Sequence, residues 1–306
     1  MALFELGSAA VWASGRERSV SEPTQEIFGG DSVGQIARRL FWSTRPPFLT
    51  ASALPVLFGT AYGVSLGGRF DGLAFALALL ATVLVGAAAN VLNDVYDDAS
   101  GADPGNDDRL HPFTGGSRFI QNNVLTRDQM ARWGWTLLGL AAAVGLLLVA
   151  LEGVAILLFG LIGLALAVAY SLPPLALNGR GLGELTVATA FGALPVSGAV
   201  WLQSGTLGWP VLLLSLPIAA WVCNILVINE VPDRAADARA GKGTLVVRLS
   251  LQGTRWIYLG LHAGAVAATA VAAGLDLLPW LAPLAPLAIA AAGVPASRGI
   301  PAGARG

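Results

Sequence analysis

Residues 90–103 read NVLNDVYDDASGAD and residues 229–237 read NEVPDRAAD, and both stretches follow long apolar runs. A carboxylate near hydrocarbon is unfavourable, costing about 2.5–3.5 kcal/mol at a helix centre on insertion scales. Two acidic clusters at the ends of apolar helices therefore indicate a shared role. Oxygen ligands of this kind are suited to divalent cations.

The composition predicts a membrane protein. The chain has 306 residues, of which 55% are hydrophobic and only 12% charged, and its mean hydropathy is +0.67. Soluble domains average about 25% charged residues, and a helix needs about 20 apolar residues to cross a bilayer. We therefore predict an all-α, polytopic transmembrane helical bundle of eight helices. The predicted spans are 47–66, 72–92, 134–151, 153–173, 184–203, 209–229, 255–274 and 277–295.

The basic residues predict the orientation of these spans. Arg69 alone lies on one side, and every other Arg and the single Lys fall on the side that carries both acidic clusters. Because cytoplasmic loops are enriched in Arg and Lys, we expect both termini and the active site at the cytoplasmic face of the inner (plasma) membrane. We expect the lipid bilayer as a partner and no nucleic acid. The predicted segments are a polar extension at 1–41, disordered or surface-lying, a transmembrane domain at 42–296 and a tail at 297–306.

The spacing within each cluster predicts a ladder of metal ligands. Asn93 and Asp97 lie four residues apart, with Asp103 just beyond, and the second cluster repeats the spacing. Residues four apart share a helix face. The second ladder consists of Asn229, Asp233 and Asp237. Asp94 and Asp98 point about 100° away, either supporting the ligands or facing solvent.

Two facing ladders could hold a pair of Mg²⁺ ions that bridge a diphosphate, because Mg²⁺ combines one or two carboxylates with substrate phosphates. Basic residues in the same loops favour a polyanionic ligand. They are Arg45, Arg109, Arg239 and Lys242. Two alternatives remain open. The clusters could be polar caps of helices, or they could bind the coupling cation of a transporter, although transporter sites usually lie near the bilayer midplane.

Two further loops carry candidate residues. In residues 112–126, Gly115-Gly116-Ser117 predicts either a plain turn or amide donors close to a ligand, and Arg118 could pair with phosphate or carboxylate. Glu184 opens an apolar span and is either functional or a helix cap. Tyr170 could stack on an aromatic acceptor. We take Ser117, Tyr170 and Glu184 as candidate acceptor-binding residues.

In order, these residues resemble the UbiA superfamily of intramembrane prenyltransferases, most closely its 1,4-dihydroxy-2-naphthoate branch in menaquinone biosynthesis, over roughly residues 42–255. The first family motif matches Asn90, Asn93, Asp94, Tyr96, Asp97, Gly101 and Asp103, and the second matches Asn229, Asp233, Asp237, Gly241, Lys242, Thr244 and Leu245. Glycine at position 101, the TGGSR segment and Gly181-Leu182-Gly183-Glu184 fit that branch. The family often has nine helices, so a ninth is the alternative to our eight, and the N-terminal extension departs from the family pattern.

The resemblance implies an Mg²⁺-dependent enzyme that transfers a polyprenyl group from a polyprenyl diphosphate donor to an aromatic acceptor. It implies metal ligation by Asn93, Asp97, Asp103, Asn229, Asp233 and Asp237, and catalytic roles for Asp94, Asp97, Asp233, Asp237 and Glu184. Arg45, Arg109, Arg118 and Lys242 are the diphosphate-binding candidates. Another acceptor remains the alternative, such as 4-hydroxybenzoate, a tetrapyrrole, a glycerol phosphate lipid, a carotenoid or a phenolic metabolite.

Overall fold

The computed structural model describes residues 21–300, and this part of the chain is α-helical without a β-strand. Two short N-terminal helices precede the bundle, and long apolar helices follow. The helices are α1 Gln25–Phe28, α2 Val33–Ser43, α3 Thr50–Ser65, α4 Gly72–Ser100, α5 Arg127–Glu152, α6 Ala155–Ser171, α7 Gly183–Ala188, α8 Leu194–Ser204, α9 Trp209–Arg239, α10 Leu245–Arg248, α11 Leu251–Gly274 and α12 Leu284–Ser297. A π-helical turn, Thr189–Ala193, joins α7 to α8.

Within residues 21–300, six helical segments are long and apolar enough to cross a membrane, judged by length and composition. They are Pro46–Ser65, Gly72–Ser100, Arg127–Glu152, Gly183–Ser204, Trp209–Arg239 and Leu251–Gly274. The all-α membrane fold predicted from composition is confirmed. The predicted spans 153–173 and 277–295 coincide with the shorter apolar helices α6 and α12, so the total of eight spans stays a prediction.

The helices that carry the acidic clusters extend beyond their apolar parts. Helix α4 continues to Ser100, whereas the apolar run ends near residue 92, and it stops at Gly101, which has a left-handed φ of 85°. Helix α9 continues to Arg239, beyond the predicted end at residue 229. Both clusters are therefore helical, which fixes the four-residue spacing of their ligands in space.

Packing brings the two helices into one bundle. Helix α4 packs along α5 and contacts α3 and α6, whereas α9 packs along α11 and contacts the α7–α8 segment. Valines and alanines of α4 form a core with α5 and with Phe119 of the following loop. This core holds the loop between α4 and α5 against the end of α4.

Part of the predicted N-terminal extension is ordered against this loop. Residues 1–20 lie outside the described residues, but Pro23 is buried and Phe28 packs on Phe119 with ring centroids 5.1 Å apart. At the other end, the tail predicted at 297–306 begins where α12 ends, and its residues 301–306 lie outside the described residues.

Candidate active site

One cavity of about 190 Å³ lies between the ends of α4 and α9. Both acidic clusters contribute to its polar wall, through Asn93, Asp97, Asp103, Asn229, Glu230, Asp233 and Asp237. Arg45, Tyr170 and Lys242 also line it. The six predicted metal ligands therefore share one cavity, although two clusters more than a hundred positions apart in sequence supply them.

Lys242 joins the two clusters. Its Nζ lies 3.0 Å from both carboxylate oxygens of Asp97 and 3.3 Å from Oδ1 of Asp237. Burial favours the neutral amine, but the carboxylates of Asp97 and Asp237 outweigh it and raise the pKa of Lys242 above its usual value. A charged ammonium group therefore sits between the two helix ends.

Asp233 is held by the loop between α4 and α5. The Nδ2 of Asn106 donates a hydrogen bond of 2.6 Å to its Oδ1, and the amide of Gly115 donates one of 3.3 Å to its Oδ2. The loop that follows the first cluster thus contacts the second cluster directly. This connection ties the loop to the cavity wall.

Two glycines let this loop approach the carboxylates. Gly115 and Gly116 have left-handed φ values of 72° and 73°, which glycine adopts without strain. A Cβ on Gly116 would lie 2.2 Å from Oδ2 of Asp103, and one on Gly115 would lie 2.7 Å from Cβ of Arg109. The segment is more than a plain turn, because the amides of Gly115 and Ser117 donate to Asp233 and Asp94.

Five predicted site residues do not contribute to the described cavity wall, namely Asp94, Arg109, Ser117, Arg118 and Glu184. Asp94 is buried behind the wall, where it accepts a 3.0 Å hydrogen bond from the Ser117 amide and lies 4.0 Å from Nη1 of Arg45. Asp98 is also buried and accepts from Gln121 and Arg127, so neither acid faces solvent.

The remaining three residues have other neighbours. Arg109 and Arg118 each pair with Glu22, a residue of the predicted N-terminal extension. Glu184 is buried beside Glu230, which lines the cavity, whereas Glu184 itself does not.

Several polar residues of the site did not figure among the predicted site residues, and four of them are Asn106, Asn178, Glu230 and Thr244. All but Asn106 line the cavity, and Asn106 reaches it through Asp233. Glu230 follows Asn229 directly, so its place inside the second cluster was a usable signal. Asn178 and Asn106 lie in loops, where spacing gives no such signal.

The wall residues fit a divalent cation that shares its ligands with a phosphate group. Oδ2 of Asp103 and Oε2 of Glu230 are buried without a hydrogen-bond partner among residues 21–300. Burial and the carboxylates of Asp97 and Asp94 raise the pKa of Asp103 well above its usual value. No three His, Cys, Asp or Glu side chains in the described part of the chain are gathered closely enough to hold a metal alone. Mg²⁺ typically completes its shell with water and substrate phosphates.

A second cavity, of about 330 Å³, adjoins the first within the bundle. Its lining is almost entirely apolar, from α3, α4, α5, α6 and α8. The two cavities share lining residues, which are Thr82, Val85, Gly163 and Ala190. A ligand with a polar head and an apolar tail therefore matches the combined space.

Comparison with known proteins gives concordant matches. The UbiA prenyltransferase family matches residues 52–298. The chain is 34% identical to the 1,4-dihydroxy-2-naphthoate octaprenyltransferase of Mycobacterium tuberculosis, over 81% of this chain and 83% of that protein. It is 31% identical to the Escherichia coli protein of the same name, over 78% and 77%. The structure of a UbiA homolog from Archaeoglobus fulgidus bound to DMAPP and Mg²⁺ has a TM-score of 0.59 and 16% identity, over 86% of this chain and 99% of that chain.

Proposed function

The chain belongs to the UbiA prenyltransferase family, and on that basis we propose that it transfers a polyprenyl group from a prenyl diphosphate to 1,4-dihydroxy-2-naphthoate. One observation carries the proposal: Asp97 and Asp233, from two distant helices, line the same cavity. Its relatives from Mycobacterium tuberculosis and Escherichia coli carry the name of this activity. This reaction would place the enzyme in menaquinone biosynthesis.

We assign the metal to the cavity wall. Asn93, Asp97, Asp103, Asn229, Asp233 and Asp237 would hold Mg²⁺ together with the donor diphosphate, as the unpartnered oxygen of Asp103 favours. When bound, Mg²⁺ supplies Lewis-acid stabilisation of the negative charge that develops on the leaving diphosphate. The structural neighbour bound to DMAPP and Mg²⁺ is consistent with this assignment.

The two basic residues of the wall, Lys242 and Arg45, have separate proposed roles. Lys242, which sits between Asp97 and Asp237, is placed to shift onto a diphosphate oxygen once cations occupy those carboxylates. Arg45 has a left-handed φ of 57°, and its Nη2 donates a 2.8 Å hydrogen bond to the Phe113 carbonyl. This geometry fixes a guanidinium group at the cavity, where it offsets negative charge in a water-poor setting.

The apolar space serves the other parts of the reaction. The adjoining cavity accommodates the isoprenoid tail, so that the allylic carbon lies at the junction with the polar cavity. Tyr170, on the wall, is placed to contact the aromatic acceptor. The carboxylate-bearing carbon of the acceptor ring attacks the allylic carbon, whose bond to the diphosphate oxygen breaks with both electrons passing to the diphosphate. The carboxylate then leaves as CO₂, and the electron pair of its bond to the ring restores the aromatic system. Because the apolar cavity has few polar groups, it holds little water that could compete with the acceptor for the allylic cation.

We propose that the protein lies in the inner (plasma) membrane with the site and both termini on the cytoplasmic side. The basic residues of the loops around the site support this orientation. Cysteine labelling of a terminus and of the loop near Arg69 in intact cells tests it. A membrane-impermeant reagent should label the Arg69 loop and leave the terminus unlabelled.

The test of function is transfer by the purified protein. Labelled polyprenyl diphosphate is incubated with 1,4-dihydroxy-2-naphthoate, 4-hydroxybenzoate or a phenolic control, and the lipid product is identified by mass spectrometry. We expect a demethylmenaquinol-type product, recovered as the quinone after oxidation by air, that requires Mg²⁺ and disappears with EDTA. Transfer to 4-hydroxybenzoate alone would contradict the acceptor assignment and leave the prenyl transfer in place. Transfer that persists without divalent metal would contradict the metal assignment.

A further inference from the structure

A segment of the N-terminal extension is bound to the outer side of the loop that covers the cavity. The carboxylate of Glu22 accepts a 2.8 Å hydrogen bond from Nε of Arg109 and one of 3.1 Å from Nδ2 of Asn122. Nε of Arg118 lies 3.9 Å from the same carboxylate. Nδ2 of Asn122 also donates a 2.9 Å hydrogen bond to the carbonyl of Pro23, so the loop binds both the side chain of Glu22 and the backbone next to it.

Further contacts fix the segment over its length. The Phe28 ring lies against the Phe119 ring, and Phe28 packs on the core shared by α4 and α5. Gln25 donates to the carbonyl of Asn123. We name residues 21–28 the strap, because they cross the loop between α4 and α5 and contact it at both ends.

Each arginine that Glu22 contacts also supports the cavity wall. Arg109 donates 2.8 Å from Nη1 to the carbonyl of Asn106, whose side chain donates to Asp233. Arg118 donates 2.7 Å from Nη1 to the carbonyl of Asp103, which lines the cavity. A chain of hydrogen bonds through Arg109 therefore leads from Glu22 to the second acidic cluster, and the ion pair with Arg118 leads to the first.

The charges require a group such as Glu22. Two neighbouring guanidinium groups repel each other. Arg118 is only 7% exposed, and its Nε has no hydrogen-bond partner among residues 21–300. Burial would raise the pKa of Glu22, but hydrogen bonds from Arg109 and Asn122 lower it below its usual value. The carboxylate is thus ionised at neutral pH and offsets part of the positive charge of the pair.

We propose that Glu22 is a positioning residue and that the strap holds the loop between α4 and α5 closed over the diphosphate end of the cavity. In this proposal, Arg109 and Arg118 link Glu22 to the cavity wall and do not contact the donor. This positioning role takes the place of the diphosphate-binding role that the sequence predicted for both residues. The part that concerns the donor rests on the proposed prenyl transfer. The closure of the loop does not, since it follows from the contacts alone.

The test compares Glu22→Gln with Glu26→Gln in the full chain. Glu22→Gln keeps the shape and removes the charge. Glu26 lies in the same segment, is exposed and makes no hydrogen bond within the described residues, so its variant is the matched control. Glu22→Asp keeps the charge with a shorter reach and serves as the conservative variant.

Two readouts separate the strap from the reaction. Hydrogen–deuterium exchange of peptides within residues 103–123 should be faster in Glu22→Gln and unchanged in Glu26→Gln. The donor KM should rise roughly 3- to 10-fold, as expected for loss of a partly exposed charge-assisted contact, with kcat changing less. The apparent Tm of Glu22→Gln should stay close to that of the parent. The exchange rate and the donor KM of Glu22→Asp should lie between those of the parent and those of Glu22→Gln.

Equal exchange in Glu22→Gln and Glu26→Gln would overturn the strap. Faster exchange with an unchanged donor KM would overturn the positioning role and leave the closed loop. If no variant or parent transfers a prenyl group to any acceptor, the proposed function fails, whereas the exchange measurement still decides on the strap.

Discussion

Replacement of Lys242 by Met tests whether the two acidic clusters form one electrostatic unit. The ammonium group contacts Asp97 and Asp237, and the three side chains are 15%, 13% and 6% exposed. Met has a similar length and no charge. The variant therefore leaves two nearby carboxylates without their cation, with little change in packing.

The expected cost follows from the burial of these side chains. Removing one partner of a fully buried pair costs about 3–5 kcal/mol, and an exposed pair contributes about 1 kcal/mol or less. Because these groups are mostly but not fully buried, we expect a loss of about 2–3 kcal/mol in the free energy of unfolding. At roughly 2–4 °C per kcal/mol for a chain of this size, the apparent Tm should fall by about 4–12 °C.

Added Mg²⁺ should compensate for the missing ammonium. Binding to the folded state alone raises stability, so millimolar Mg²⁺ should raise the Tm of Lys242→Met by more than that of the parent. Thermal unfolding in detergent, followed by tryptophan fluorescence with Mg²⁺ or EDTA, measures both effects. Arg127→Gln is the control, because Arg127 pairs with Asp98 away from the cavity and is 52% exposed. A variant as stable as the parent, or an equal response of Arg127→Gln to Mg²⁺, would refute the reasoning.

Three further perturbations test other parts of the site. Asp97→Asn and Asp233→Asn should each abolish turnover and leave helical content unchanged, measured by prenyl transfer and circular dichroism; full activity in either would remove that residue from the metal site. Gly116→Ala should destabilise the protein by about 1–3 kcal/mol and reduce transfer, because its left-handed φ and the Asp103 carboxylate leave no room for Cβ. Gly139→Ala, a helical glycine with no atom within 4 Å of its Cβ, should instead be neutral or stabilising, and similar losses in both would contradict this explanation. EDTA should stop transfer by the parent, and Mg²⁺ but not Na⁺ should restore it.

Much of the fold follows from hydropathy and charge. Apolar runs of about 20 residues located the long helices, because a bilayer imposes that length on a helix. The helix ends were less predictable. Helices α4 and α9 run on through polar sequence to Ser100 and Arg239, and Asp98 and Asp237 are buried on these extensions. Hydropathy does not detect this burial, because it scores both stretches as polar.

The site was predictable where spacing along one helix determines it. Asn93 with Asp97, and Asn229 with Asp233, share a helix face by their separation alone. Contacts between distant segments are different. Asn106 bonds Asp233 across 127 positions, and Glu22 pairs with Arg109 across 87. No local pattern encodes such contacts, so the pairing of Arg109 with Glu22 could not be predicted from spacing along the chain.

The most direct test of the central claim is metal binding in the presence of a non-reactive prenyl diphosphate analogue. Mn²⁺ replaces Mg²⁺, and electron paramagnetic resonance counts the bound ions in the parent, Asp97→Asn and Asp233→Asn. We predict that the parent binds Mn²⁺ only together with the analogue and that either substitution, on either helix, reduces the bound ions. Unchanged Mn²⁺ binding after one of the two substitutions would contradict a site shared by both helices.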